Sequence, residues 1–374
     1  MGLTKAAAIL FLVCQGSLVP ILQKIVILVV RGDPGNVIGF PAAKFSRVLV
    51  RGELYGSDSI VTVFRRVHGT LFNNVDLHYW RCVWKRANTC PDEDIKYFLY
   101  TRKGSFRSRA EVTIPGSLEK IGWDRRKSNV IIIHGHNGTD GKTPLTLLRD
   151  AYLIRGDYNV FVADWGRLTR FPCYLSALHN MRFVSQCTAQ LFAHLTHQGA
   201  SMKGITCIGH SLGAHVCGMI ANHATIRPHR IIAIDPARPI IDEMDNMAYR
   251  LSPDDADSVE VIHTNAGVLG LNAPSGTVDF CVNGGHFQPQ CDVINHPMRR
   301  HKCSHFQGVC LLASIVASRK PREIMGYPCR SGCPMGRIPR LRPGKPIPMG
   351  MEKAVVGGRG TYCTEIVQNM CPFV

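Results

Sequence analysis

The sequence predicts an α/β fold, a mainly parallel sheet with helices on its faces, and three observations point to it. Short β-rich runs alternate with helical ones from about Cys82 onward. The runs are apolar throughout, as strands covered on both faces are. A glycine-flanked serine sits where one such run gives way to an apolar helix.

With 374 residues the chain has room for one large domain and an extension, and 45% hydrophobic with 19% charged residues excludes wholesale disorder. Met1 to Lys5, the apolar run Ala6 to Cys14, and Gln15, Gly16 and Ser17 follow the order of a secretory signal peptide. A leader over about 1–23 is therefore expected, and with it a secreted, extracellular protein. An uncleaved anchor is the rival reading, because apolar residues resume at Leu18 to Leu22 and Ile25 to Val30, but Pro20, Gln23 and Lys24 interrupt them. Residues 24–80 form an extension without sustained periodicity and without an assigned role. The main domain is expected over 81–374.

Within it, strands are expected at Tyr97 to Thr101, Asn129 to Ile133, Asn159 to Ala163, Ile205 to Ile208, Arg230 to Ile234 and Ser258 to His263. Pro144 to Ile154, Leu175 to Leu195 and Leu212 to Asn222 have helical length and spacing.

Fifteen cysteines become fourteen once Cys14 leaves with the leader, an even number that suits a disulfide-bearing secreted protein. Proximity pairs Cys82 with Cys90, Cys173 with Cys187, Cys291 with Cys303, Cys329 with Cys333 and Cys363 with Cys371. No C-x2-C pair occurs, so a zinc cluster is not expected. The balance of 44 Lys and Arg against 27 Asp and Glu, a net +17, draws the protein toward phosphate-rich surfaces. The basic residues are scattered and no RNA-binding signature occurs, so nucleic acid is not an expected partner and a lipid surface is.

Gly209, His210, Ser211, Leu212 and Gly213 spell GHSLG, a G-x-S-x-G match between an apolar strand and an apolar helix. Residues without Cβ permit the sharp turn that exposes Ser211 at a helix N-terminus, where the dipole favours developing negative charge. A nucleophilic serine needs a base, and the base an orienting carboxylate. Asp235, directly after a strand and before Pro236, is the first candidate acid, and Asp279 is held in reserve. A turn aspartate before proline is the bland alternative. For the base, His263, His286, His296, His301 and His305 all lie downstream, and spacing alone does not choose. His263 ends a strand and reads as a structural histidine, whereas His305 follows Cys303 at the mouth of a further helical run.

Several separated motifs in order resemble the pancreatic lipase family: CPDEDIKYFLYTR from Cys90, IIIHG from Ile131, ADW from Ala163, GHSLGAH from Gly209, DPA from Asp235, VIHT from Val261 and CSH from Cys303. The resemblance covers about residues 82 to 340. It implies an α/β-hydrolase fold, with Ser211, Asp235 and His305 as nucleophile, acid and base, and it decides against His263. It also makes the backbone N–H groups of Leu212 and His136 the oxyanion hole, and implies no cofactor and no metal. The family usually has an aromatic residue after the His-Gly of that loop where this chain has His136, a departure that bears on the acyl pocket wall.

Two further departures bear on substrate. Cys291 and Cys303 bound a lid loop of eleven residues, and Asn265 to Val278 is also short. Such trimming resembles the phospholipase A1 branch. The chain ends 69 residues after His305, so the family's C-terminal β-sandwich, and with it a colipase partner, is not expected. The resemblance implies hydrolysis of fatty-acyl esters, with phospholipid ahead of triacylglycerol. A catalytically silent lipid-binding or yolk-type homologue is the remaining alternative. Arg299, Arg300 and Lys302 are expected to draw the cleft rim to anionic membranes.

Overall fold

The computed structural model describes residues 82–86, 89–102, 107–243, 247–318, 324–330, 332–335, 341–350, 358–366, 368 and 371. The expected leader and the 24–80 extension lie outside the described residues.

In chain order the elements are β1 (Lys96–Tyr100), β2 (Ser108–Arg109), α1 (Ser117–Lys120), β3 (Ser128–Ile133), α2 (Leu145–Arg155), β4 (Tyr158–Asp164), α3 (Tyr174–His197), β5 (Ile205–His210), α4 (Leu212–Met219), β6 (Arg230–Ile234), β7 (Ser258–His263), β8 (Val278–Val282), α5 (Pro297–Ala317), β9 (Met325–Pro328), β10 (Ile347–Pro348) and β11 (Gly360–Thr364). They build one sheet in the order β10-β9-β11-β8-β7-β6-β5-β3-β4-β1-β2. From β11 through to β4 every neighbour is parallel, and antiparallel strands close both edges. This is the expected α/β-hydrolase arrangement.

The six expected strands are all present within a residue or two, because apolar runs buried on both faces are their own signal. In β3, Ile131 and Ile133 enter the core that α3 and α4 cover, while Val130 and Ile132 enter the core under α2 and α5. Two-residue alternation thus feeds two apolar layers from one run. Among the described residues no helix is long and apolar enough to cross a membrane.

Two expectations change. Helix α5 begins at Pro297, so six of the eleven residues between Cys291 and Cys303 are helical and only Asp292 to His296 precede the helix. His305 accordingly lies in the third turn of a helix rather than at its mouth.

Of the five cysteine pairs drawn from proximity, only Cys291–Cys303 forms. The others are Cys82–Cys173, Cys90–Cys187, Cys207–Cys217, Cys281–Cys333, Cys310–Cys371 and Cys329–Cys363. The reason is geometric. Fourteen residues of helix from Cys173 to Cys187 rise about 21 Å, and the eight-residue step from Cys82 to Cys90 can reach at most about 29 Å. Cys82 and Cys90 are thereby stapled to the start and to the middle of α3. Seven disulfides among the described residues suit an oxidising compartment.

Candidate active site

Strand β5 delivers the serine. Its backbone bends to φ 58° and ψ −122° at Ser211, and α4 starts on the next residue. The bend leaves no room for neighbours with side chains: a Cβ on Gly209 would lie 2.2 Å from the Gly213 carbonyl oxygen, and one on Gly213 would lie 2.1 Å from that of Ile133. Ser211 N–H donates to the Ile234 carbonyl at 3.0 Å, which ties the turn to β6.

Register brings the acid alongside. His210 pairs with Ile234 and Ile234 with Ile262, so the residues that follow these strands, Ser211 and Asp235, emerge at the same level of the sheet's C-terminal edge. Asp235 is fully buried. Its Oδ1 accepts the backbone N–H groups of Thr264 at 2.8 Å and Asn265 at 2.9 Å, and its Oδ2 faces His305 Nδ1 at 2.5 Å. With Nδ1 bonded to the carboxylate, Nε2 is the ring nitrogen left to face the serine side.

His263 ends β7 directly beside Asp235 in register, yet its ring goes elsewhere. Its Nε2 donates to Asp279 Oδ1 at 2.8 Å and its Nδ1 meets the Leu271 carbonyl at 3.1 Å. Asp279 also accepts the N–H groups of Ser275 and Gly276. The reserve acid and the rejected base are thus partners in a second, separate buried pair. Burial alone pushes the His263 imidazole down, but the hydrogen bond and charge of Asp279, with Asp235 adding, raise it above the ordinary 6.5.

The loop after β3 carries His136. Its ring stands edge-on to Tyr174 at 5.2 Å, with Nδ1 3.5 Å from Thr169 Oγ1. Burial pushes its imidazole down to about 4, and the charges of Lys302 and Lys142 add to this. The loop touches the serine, since a Cβ on Gly135 would lie 2.6 Å from Ser211 Cβ. The structure therefore brings Ser211, Leu212, Asp235, His305 and the His136 loop to one edge of the sheet.

Some neighbours were not read from the sequence. His210 Nε2–H donates to the His305 carbonyl at 3.1 Å, and the two rings lie 4.4 Å apart. Burial above all, and the nearness of His305 whenever that ring takes a proton, hold His210 well below 6.5 and so uncharged. Asn265 bonds Asp235 through its backbone, while its side-chain Nδ2 donates to the His286 carbonyl at 2.8 Å and to His301 Nδ1 at 3.1 Å, one turn before His305. The adjacency of His210 to Ser211 and of Asn265 to VIHT was the available signal. Among the described residues no group of three or more His, Cys, Asp or Glu could hold a metal ion.

A mainly parallel sheet carrying serine, aspartate and histidine in that chain order is the α/β-hydrolase pattern. The family described as Lipase matches residues 77–333, and the chain belongs to it. Lipase member H of Oryctolagus cuniculus is 33% identical over 243 residues, which is 64% of this chain and 52% of that protein. Lipase member H of Danio rerio is 35% identical over 203 residues, 54% of this chain and 44% of its own length. Phospholipase A1 member A of Mus musculus is 33% identical over 225 residues, 58% and 48% respectively. The chain spans about half the length of these relatives.

Proposed function

We propose that the protein is a secreted serine carboxylic ester hydrolase that cleaves a fatty-acyl ester of a glycerophospholipid at sn-1. The observation that carries this reading is the Asp235–His305 hydrogen bond beside a serine held in a nucleophile turn. His305 takes the Ser211 proton as Ser211 Oγ attacks the ester carbonyl, and the tetrahedral intermediate's oxygen is held by the N–H groups of Leu212 and His136. Each such donor contributes roughly 3 kcal/mol to lowering the barrier. His305 then protonates the leaving alcohol and activates the water that releases the fatty acid.

Phospholipid is favoured over triacylglycerol because only five residues of the lid loop precede the helix, which leaves little to close over the cleft. The name of the murine phospholipase A1 relative agrees. A leader over about 1–23, an extension over 24–80 and a hydrolase domain over 81–374 complete the reading, and the seven disulfides support secretion. The test is fatty-acid release by the purified protein from phosphatidylcholine vesicles and from a triacylglycerol emulsion, with Ser211→Ala as control. Preferential triacylglycerol hydrolysis would assign a neutral lipase, and no hydrolysis of either would favour a silent lipid-binding homologue.

A further inference from the structure

We infer that His134 is a positioning residue for the oxyanion donor: its ring fixes the peptide joining Gly135 to His136, and so aims the His136 N–H at the reacting carbonyl. The inference rests on the reading of Ser211 and of the His136 N–H just proposed.

In a trans peptide the C=O and N–H point in opposite directions. Whatever anchors the Gly135 oxygen therefore sets the direction of the His136 hydrogen. Two donors converge on that oxygen, His134 Nδ1 at 3.0 Å and Gly138 N–H at 3.1 Å. A carbonyl can only accept, so Nδ1 carries the hydrogen whether the ring is neutral or charged.

The ring itself is immobilised on every side. It is fully buried and lies stacked on Trp165 at 5.6 Å and 11°. Its Nε2 faces Trp165 N–H at 3.2 Å and Asp164 Oδ1 at 3.5 Å, while Trp165 Nε1 donates to the His134 carbonyl at 2.9 Å. A Cβ on Gly138 would come within 2.6 Å of Nδ1, so the loop closes directly onto the ring. An apolar ring would fill this space equally well but would leave Gly135 oxygen short of one donor and the Trp165 N–H without its acceptor. The two nitrogens are thus the part of His134 that packing does not explain, and of these only Nδ1 bears on the Gly135–His136 peptide.

The experiment compares His134→Asn with His134→Leu, two side chains of one shape of which only Asn offers an N–H near the Nδ1 position. Four quantities are measured: kcat and KM on a soluble short-chain ester, the rate of Ser211 labelling by a fluorophosphonate, Ki for an arylboronic acid that mimics the tetrahedral intermediate, and Tm. Removing an oxyanion donor outright costs about 100- to 1,000-fold, so loosening one lowers kcat about 10- to 100-fold. The Leu variant is expected to show that loss with KM changed less than about threefold and boronic acid binding weakened by the same factor as kcat. The Asn variant regains most of both. If Leu does not fold, His134→Gln replaces it, because its longer amide reaches toward the Nε2 position and leaves Gly135 oxygen without the donor.

Equal kcat in the Asn variant and in its Leu or Gln counterpart, with the wild type labelled normally, would overturn the positioning role and leave the serine hydrolase reading standing. A wild type that neither turns over the ester nor reacts with the fluorophosphonate would overturn both.

Discussion

His305 Nδ1 meets Asp235 Oδ2 at 2.5 Å across 70 residues of sequence. Asp235→Asn keeps the shape and the acceptor for Thr264 and Asn265 N–H but turns an amide toward His305. The histidine then adopts the other tautomer, with Nε2 protonated and useless as a base. The expected result is a kcat about 1,000- to 10,000-fold lower with an unchanged circular dichroism spectrum. More than a tenth of wild-type turnover on a soluble ester would remove Asp235 from the machinery.

Ser211 holds φ 58° and ψ −122°, a conformation that an L-residue adopts at a cost and glycine adopts freely. Ser211→Gly is expected to abolish hydrolysis while stabilising the fold by about 1 kcal/mol. Thermal unfolding alongside the ester assay checks both halves. A lowered Tm would mean that the turn is not strained.

The two buried aspartate–histidine pairs, Asp235–His305 and Asp279–His263, are expected to separate function from stability. His263→Ala leaves Asp279 with only the Ser275 and Gly276 N–H groups and is expected to cost about 3 kcal/mol without lowering the turnover of folded protein. His305→Ala is expected to remove turnover while leaving the fold in place. Because the folded-state value of His263 is raised, its contribution is fully present below the unfolded value of about 6.5 and is lost as pH rises through the folded value. The Tm gap between wild type and His263→Ala should therefore be widest at pH 6 and narrow in alkali; a gap that grows with pH contradicts the pairing.

The basic residues between Cys291 and Cys303 divide by what they touch. Arg300 donates to the Ile294 carbonyl at 3.0 Å and to that of Asp292 at 3.1 Å, and its guanidinium lies 5.4 Å from the Phe287 ring centroid. Arg299 is exposed. Arg300→Gln is expected to lower Tm, whereas Arg299→Gln leaves Tm alone and weakens binding to anionic vesicles by about 1 kcal/mol at low salt. Vesicle sedimentation across a salt series distinguishes them. If both variants behave alike, the division is wrong.

The sequence by itself determined the sharp turn at Ser211, six strands from β1 to β7 without β2, and the place of Asp235 at the end of β6, because each depends on adjacent residues. A turn that excludes side chains needs glycines at fixed offsets, and a strand buried on both faces shows its apolar run directly. Strands β8 and β11 were missed because Asp279 and Cys281 in the one, and the small polar residues of the other, look like loop until their neighbours bury them.

The tertiary structure alone decided which cysteines meet and what orients each histidine. Family resemblance chose His305, but the residues themselves left five histidines open. Register even sets His263 beside Asp235, and it is the Asp279 carboxylate on β8 that draws its ring away while α5 brings His305 in from elsewhere. Likewise Cys90 skips Cys82, eight residues back, for Cys187 on α3. Such choices follow from how whole layers pack. Their free energy is shared among residues far apart in the chain, so no local pattern records it.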